Sequence, residues 1–292
     1  MKKTIIYEVA GHRFAIEAEE NLHQKMDQQY KPFIVKDASI GDPLFRLCVV
    51  EKEVFPPTKC ITEDYEEDMG PVKFIIGHVN NQQYYEFRTY DQCRSRLLIS
   101  RDHHIGYISL DLDDYLQYAL DWGVMIMYNI TTARLRTALF HASVVEKDGK
   151  TYLFLGRSGT GKSTHSRLWI QYIEGAQLVN DDKPVVRIMD NGTVTAYGSP
   201  WSGKTPCYRN VCYPVGGIVS LEQAPHNNIR RLSPIEAYGI LISSIAGNRH
   251  DKNLADGLHE TENEIIKNVP FWHLECLPNE DAARLCYDKV NK

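Results

Sequence analysis

The chain has 292 residues, 43% of them hydrophobic and 24% charged, ordinary values for a globular protein of one large domain or two smaller ones. Its 33 basic and 38 acidic residues leave a net charge of −5, and with no dense Lys/Arg block this argues against a nucleic acid or an anionic membrane as a general partner. Seven cysteines, an odd number with no C-x-x-C spacing, speak against a disulfide framework or a zinc site and for reduced thiols in a cytoplasmic protein.

Met1-Lys2-Lys3 imitates the start of a signal peptide, but Glu8 interrupts the apolar run too early, and no stretch is long enough to span a bilayer. Ile5, Tyr7 and Val9, the break at Gly11, and then Phe14 and Ile16 predict a hairpin. Leu22, Met26 and Tyr30 recur every four residues between Glu19 and Tyr30, the pattern of an amphipathic helix closed by Pro32. Alternating runs follow at Phe45-Val49, Val72-Ile76, Tyr85-Phe87, Leu97-Ile99 and Tyr107-Ser109, separated by turn residues such as Asn80-Asn81 and Asp102-His103, and they predict an antiparallel meander. The acidic run Glu63 to Asp68 reads as a solvated loop, and His103-His104 as a hairpin turn with no third ligand at useful spacing. Residues 1–110 therefore form a mainly β domain of unassigned role. Asp111 to Thr132, nearly all-round apolar towards its end, reads as a core helix that opens a second domain, 111–292.

Leu139 to Val145 and Thr151 to Leu155 flank Asp148-Gly149, which supplies the positive φ of a tight hairpin. The second strand runs straight into Gly156 to Ser163, G-R-S-G-T-G-K-S, which fits the phosphate-loop pattern G-x-x-x-x-G-K-[ST] without a mismatch. In that pattern glycines turn backbone N–H groups towards phosphate oxygens, Lys162 reaches the β and γ phosphates, and the Ser163 hydroxyl can ligate Mg²⁺. The helix that follows carries Leu168 and Tyr172, and Trp169 and Ile173, at four-residue spacing and stops at Gly175. Its positive end points at the same anion. His141, on the preceding strand, is either a packed core residue or a catalyst beside the nucleotide.

Gln177 to Asp182 is a short strand ending in two carboxylates, a place where a Mg²⁺-phosphate site wants one group for the metal and one for a proton. A hairpin turning at Asp190-Asn191-Gly192 leads into Gly198-Ser199-Pro200-Trp201-Ser202-Gly203-Lys204. These small residues suit a loop around a phosphate or substrate, and equally one that Trp201 plugs onto the core. Arg209 is either a second cation for the transferring phosphate or an ordinary surface arginine. Ile218 to Leu221 reads as a buried strand, and Ser233-Pro234-Ile235-Glu236 as a capping box opening a helix. Helices near Asn253 to Lys267 and Asn279 to Val290 flank a strand at Phe271 to Cys276.

His141, the G-R-S-G-T-G-K-S loop, Asp181-Asp182 and the segment from Gly198 to Arg209 occur in that order, and from His141 onward the chain resembles the catalytic domain of HPr serine kinase/phosphorylase and its kinase-like relatives. These share a nucleotide site with ATP-dependent phosphoenolpyruvate carboxykinases. The resemblance implies an α/β fold, a mixed sheet with a phosphate loop, behind the mainly antiparallel N-terminal region. It implies that Gly156, Ser158, Gly159, Thr160, Gly161, Lys162, Ser163 and Thr164 bind ATP, and that Ser163 and Asp182 hold Mg²⁺. It further implies Asp181 as general base, His141 as the group that tunes it, and Lys162 and Arg209 as cations for the phosphates. Thr164 stands where the family has an acidic residue, the segment that recognises the HPr protein is not recognisable, and the chain is too short for a carboxykinase.

The resulting expectation is a cytoplasmic, ATP- and Mg²⁺-dependent kinase acting on a hydroxyl, taken to be a serine, of a small molecule, peptide or protein. Homo-oligomer formation is compatible with the sequence. A nucleotide-binding regulatory switch, or a peptide-binding accessory protein without phosphoryl transfer, is the alternative.

Overall fold

The computed structural model describes residues 1–37, 41–68, 72–89, 92–110, 116–203 and 205–291. It is a mixed α/β structure in two compact units, Met1–Thr131 and Thr132–Lys292.

In the first unit, β1 (Lys2–Val9) and β2 (His12–Glu19) form the expected hairpin, and α1 (Glu20–Tyr30) buries Leu22, Met26 and Tyr30. The chain continues through β3 (Phe45–Val49), β4 (Thr62–Asp68), β5 (Lys73–Val79), β6 (Gln82–Thr89), β7 (Gln92–Ile99) and β8 (Ile105–Leu110) to α2 (Leu116–Thr132). The strands lie in the order β1-β2-β3-β8-β7-β6-β5-β4. Asn80 and Asn81, with φ of 49° and 61°, make the tight β5–β6 turn, and His103, at 62°, belongs to the β7–β8 turn.

Two expectations need correcting. The sheet is mixed, because β3 pairs parallel with both β2 and β8, whereas β4 to β8 do form an antiparallel meander. The acidic run is also a strand: β4 pairs with β5 at the sheet edge, where exposed carboxylates such as Glu63 and Glu66 are compatible with pairing and discourage a further strand from adding.

The helix expected from Asp111 is described from Leu116 onward, and its start at 111–115 lies outside the described residues. It belongs with the first unit, not the second. Leu120, Val124, Met127 and Tyr128 are fully buried, Tyr128 Oη donates to Val9 O at 2.9 Å, and Tyr30 Oη donates to Asp121 Oδ1 at 2.6 Å. Gly123 permits this packing, since a Cβ there would lie 2.7 Å from Ile108 Cδ1.

The second unit contains β9 (Thr137–Phe140), β10 (Ala142–Lys147), β11 (Lys150–Leu155), α3 (Lys162–Tyr172), β12 (Gln177–Asp182), β13 (Val185–Ile188), β14 (Val194–Tyr197) and β15 (Cys212–Gln223). It ends with β16 (Asn228–Arg231), α4 (Pro234–Ser244), β17 (Ile245–Ala246), α5 (Lys252–Asn268), β18 (Phe271–Cys276) and α6 (Glu280–Val290). Its 10-stranded mixed sheet runs β12-β10-β11-β15-β14-β13-β9-β17, with β18 beside β15 and β16 beside β18. Asp148 and Gly149, with φ of 53° and 75°, turn the β10–β11 hairpin as expected. One core cluster joins Tyr152 and Phe154 of β11 to Trp169 of α3, Val219 of β15, Leu274 of β18 and Cys286 of α6. The expected capping box opens α4, where the Ser233 N–H donates to Glu236 Oε2 at 2.8 Å.

Among the described residues no helix is long and apolar enough to cross a membrane.

Candidate functional site

Strand direction gathers the candidate residues. β10 lies between β11 and β12 and is antiparallel to both, so β11 and β12 end at the edge where β10 begins. β15 is parallel to β11, and β18 to β15, so they end at that edge too. Gly156 after β11, Asp181 and Asp182 at the end of β12, His141 before β10, and Gln223 at the end of β15 therefore share one rim.

The glycine-rich segment is a turn between β11 and α3. Gly159 and Gly161 have φ of 82° and 108°, conformations that side-chain-bearing residues rarely adopt. Gly161 is also the N-cap of α3, and the helix has no acidic residue in its first turn, so its positive end is left for an external anion. Lys162 Nζ folds over the segment and donates to Gly156 O at 2.8 Å and Arg157 O at 3.3 Å. Burial lowers its pKa; Asp182 and Asp181 oppose that shift, and Lys183 adds to it. The Gln223 side chain ties the turn to β15, donating from Nε2 to Gly159 O at 3.1 Å and Thr160 O at 3.4 Å.

His141 touches Asp182, not Asp181. Its Nε2 lies 3.4 Å from Asp182 Oδ1, and Lys183 Nζ lies 4.0 Å from the same oxygen. Burial, with Lys183 and Lys162 nearby, lowers the His141 pKa to about 4, so near neutrality the imidazole in this contact is neutral. Burial raises the Asp182 pKa against the pull of Lys183 and Lys162, and Asp181 raises it further. Where His141 was expected to tune Asp181, it meets Asp182 instead: His141 precedes β10, outside the ladder, and faces the last residue of β12. Asp181 pairs across the ladder with Ser143, whose Oγ meets Ser166 Oγ of α3 at 2.6 Å, so Asp181 is on the α3 face. It is 5% exposed, whereas the Asp182 side chain is 34% exposed.

The segment after β14 is fastened onto β12. Asn180 Nδ2 donates to Ser199 Oγ and Trp201 O, both at 3.1 Å, and the Gly203 N–H donates to Asp181 O at 2.7 Å. Trp201 is buried, and the Ser199 hydroxyl donates to Lys183 O at 2.6 Å. Of the two roles open for this segment, these contacts correspond to the plug on the core. Lys204 lies outside the described residues.

Arg209 also needs correcting. Its Nη1 donates to Leu178 O at 2.6 Å and its Nη2 to Gln177 Oε1 at 3.2 Å, at the start of β12. Four residues of extended strand separate that point from Asp182, roughly 13 Å. The guanidinium braces the wrong end of the strand to reach a phosphate on the loop.

Two cavities flank the glycine-rich turn and share Gly159, Thr160, Leu221 and Gln223. The more polar one, about 920 Å³, is lined by His141, Arg157, Ser158 and His273 and by Ser243 and Ser244 of α4. This wall is anchored, since Tyr238 Oη meets His259 Nδ1 at 2.8 Å, and the fully buried Glu262 of α5 takes Arg249 Nη2 at 2.6 Å. The second cavity, about 660 Å³, is mainly apolar and lies against α3 and the ends of β15 and β18.

The residues present fit a magnesium-bound triphosphate. A helix N-terminus without a first-turn acid, a lysine resting on loop carbonyls, the Ser163 hydroxyl and two carboxylates are the right chemical types. Among the described residues no group of three or more His, Cys, Asp or Glu side chains could hold a metal by itself, so phosphate oxygens would have to share it.

Sequence reasoning missed Gln223, Asn180 and His165. Gln223 ends a strand and Asn180 precedes the two aspartates, which are positional hints. The buried, half-satisfied state of His165 had no signal in the sequence.

No protein-family model and no curated protein matches the chain. Among solved structures it is similar to the Hpr(Ser) kinase/phosphatase from Coxiella burnetii, at 16% sequence identity and a TM-score of 0.31, over 52% of this chain and 93% of that one. A likeness of that strength supports no functional argument.

Proposed function

We propose that the second unit is an ATP- and Mg²⁺-dependent kinase that transfers the γ-phosphate to a hydroxyl group of a small molecule, peptide or protein. The observation that carries this reading is the convergence, at one sheet edge, of the G-R-S-G-T-G-K-S turn, the Asp181-Asp182 strand end and His141. Backbone N–H groups of Gly156 to Gly161 and the first turn of α3 would cradle the phosphates, with Lys162 leaving its loop carbonyls to meet the β and γ oxygens. Ser163, and Asp181 on the α3 face, would hold magnesium, which supplies charge neutralisation to the phosphate oxygens when bound.

Asp182 is the better proton acceptor of the two carboxylates. It is the more exposed, its pKa is raised, and His141 stands against it. A raised pKa brings a carboxylate closer to the working pH of a general base. In the step itself the acceptor oxygen forms a bond to the γ phosphorus while the bond from that phosphorus to the β,γ-bridging oxygen breaks. The hydroxyl proton passes to Asp182, and ADP departs with the bridging oxygen.

The test is transfer of labelled γ-phosphate to hydroxyl compounds and to cell-extract proteins. The parent protein is expected to label an acceptor, and Lys162→Ala is expected to lose both nucleotide affinity and transfer. Absence of any acceptor, together with a nucleotide-dependent change in partner affinity, would replace the kinase with the regulatory switch.

A further inference from the structure

The rim of the site has two sides that are chemically unlike. His141 opens onto the polar cavity, and through its contact with Asp182 this is the side on which a transferred phosphate would meet its acceptor. A nucleotide held on the turn with its γ-phosphate towards that side directs its nucleoside to the other cavity. There the walls are Leu168 of α3, Leu221 of β15, Ala224 and Pro225 just beyond it, and Leu277 and Pro278 just beyond β18. A volume of about 660 Å³ lies within the range typical of small-molecule sites.

His165 also lines this cavity, and it is 2% exposed. Trp169, one turn along α3, donates its indole N–H to His165 Nε2 at 3.1 Å, and an indole nitrogen can only donate. Nε2 is therefore an acceptor, and a neutral ring must carry its proton on Nδ1. That Nδ1 is buried without a hydrogen-bond partner. A buried donor left unpaired is costly, so an acceptor brought to it by a bound ligand would be favourable. The ring cannot swing away easily, because it is held edge-on to Phe154 with centroids 4.7 Å apart.

We propose that the cavity between α3 and the ends of β15 and β18 is the base subsite of the nucleotide: it takes the planar heteroaromatic base between its apolar walls, with a ring or carbonyl acceptor of the base placed for His165 Nδ1–H. This rests on the glycine-rich turn holding the phosphates, and the experiment separates the two ideas. Titration calorimetry with magnesium compares ATP with inorganic tripolyphosphate, which has the phosphates without the base, on the parent protein and on two variants at the mouth of the cavity. Ala224→Trp fills the space, and Leu277→Asp makes its wall charged; both residues lie after strand ends, outside the buried core.

The parent is expected to bind ATP at least tenfold more tightly than tripolyphosphate. Both variants are expected to lose that advantage while keeping the parent's affinity for tripolyphosphate, which also shows that they are folded. Equal affinity of the parent for the two ligands, or parental ATP affinity in both variants, would overturn the base subsite and leave the phosphate turn standing. Failure of the parent to bind either ligand would overturn both.

Discussion

His141 Nε2 and Asp182 Oδ1 lie 3.4 Å apart, at the edge where β10 begins and β12 ends. Burial and two neighbouring lysines keep the imidazole neutral, while burial raises the carboxylate's pKa. A neutral histidine can hold a carboxylate in place without neutralising it. The same strand turns Asp181 to the opposite face, so two neighbouring acids of one sequence motif meet different surroundings.

Asp182→Asn is expected to retain most of the affinity for magnesium-bound ATP and to lose transfer by about 10²- to 10⁴-fold, the usual worth of a general base. Asp181→Asn should instead weaken metal-dependent nucleotide binding. His141→Ala should slow transfer less than Asp182→Asn. Calorimetry and single-turnover transfer on the three variants check the assignment, and an unchanged rate in Asp182→Asn would return the base to Asp181.

Gly198 is fixed by close backbone approach. A Cβ there would stand 1.9 Å from Arg209 O and 3.3 Å from Val179 O, neither of which is a flexible side-chain end. Gly198→Ala is expected to cost about 1–3 kcal/mol or more, the range for forced overpacking. Because Arg209 and the Gly198–Gly203 segment both brace β12, the variant should also lower nucleotide affinity. Urea denaturation would measure the first effect and calorimetry the second; parental stability would show that the segment can move aside.

Much of this architecture was legible. The Asp148-Gly149 turn, the apolar run into Gly156 and the Ser233 capping box are local patterns, and local patterns are what a sequence displays. Pairing partners are not local. Nothing within Phe45 to Val49 says that the strand lies parallel between β2 and β8, and the acidic composition of Glu63 to Asp68 hid a strand that tolerates charge because it lies at an edge. In the site, the Asp181-Asp182 pair was visible, but which of the two meets His141 depends on where β10 starts, one residue after it. Arg209 was near the right place in sequence and at the wrong end of β12 in space.

The first unit should require α2. Leu120, Val124, Met127 and Tyr128 bury their side chains, and Gly123 sits against Ile108. A chain ending at residue 110 would expose the apolar surface that this helix covers, whereas one ending at 131 keeps it covered. Residues 1–131 are therefore expected to unfold cooperatively in urea, and residues 1–110 to aggregate or to melt without a sharp transition. Cooperative unfolding of the shorter fragment would move the boundary back to 110/111.

His165 should make the protein sensitive to mild acid. Its burial lowers its pKa from 6.5 to about 3, so between those values the unfolded chain binds a proton that the folded protein refuses. Stability rises with pH wherever the unfolded state binds more protons, so this contribution is complete above about pH 6.5 and is lost progressively as pH falls towards about 3. Between about pH 7 and about pH 5 the loss is roughly 2 kcal/mol from this group alone. His141, with its pKa lowered to about 4, pulls in the same direction over much of the same window, so the parent's slope belongs to both. His165→Gln separates them: glutamine can still accept from the Trp169 indole but does not titrate. Urea denaturation at about pH 7 and about pH 5 should show a smaller loss in the variant than in the parent, by roughly 2 kcal/mol. Equal losses in both proteins would mean that His165 gains a proton in the folded state, and its Nε2 would then no longer be the acceptor that the Trp169 indole requires.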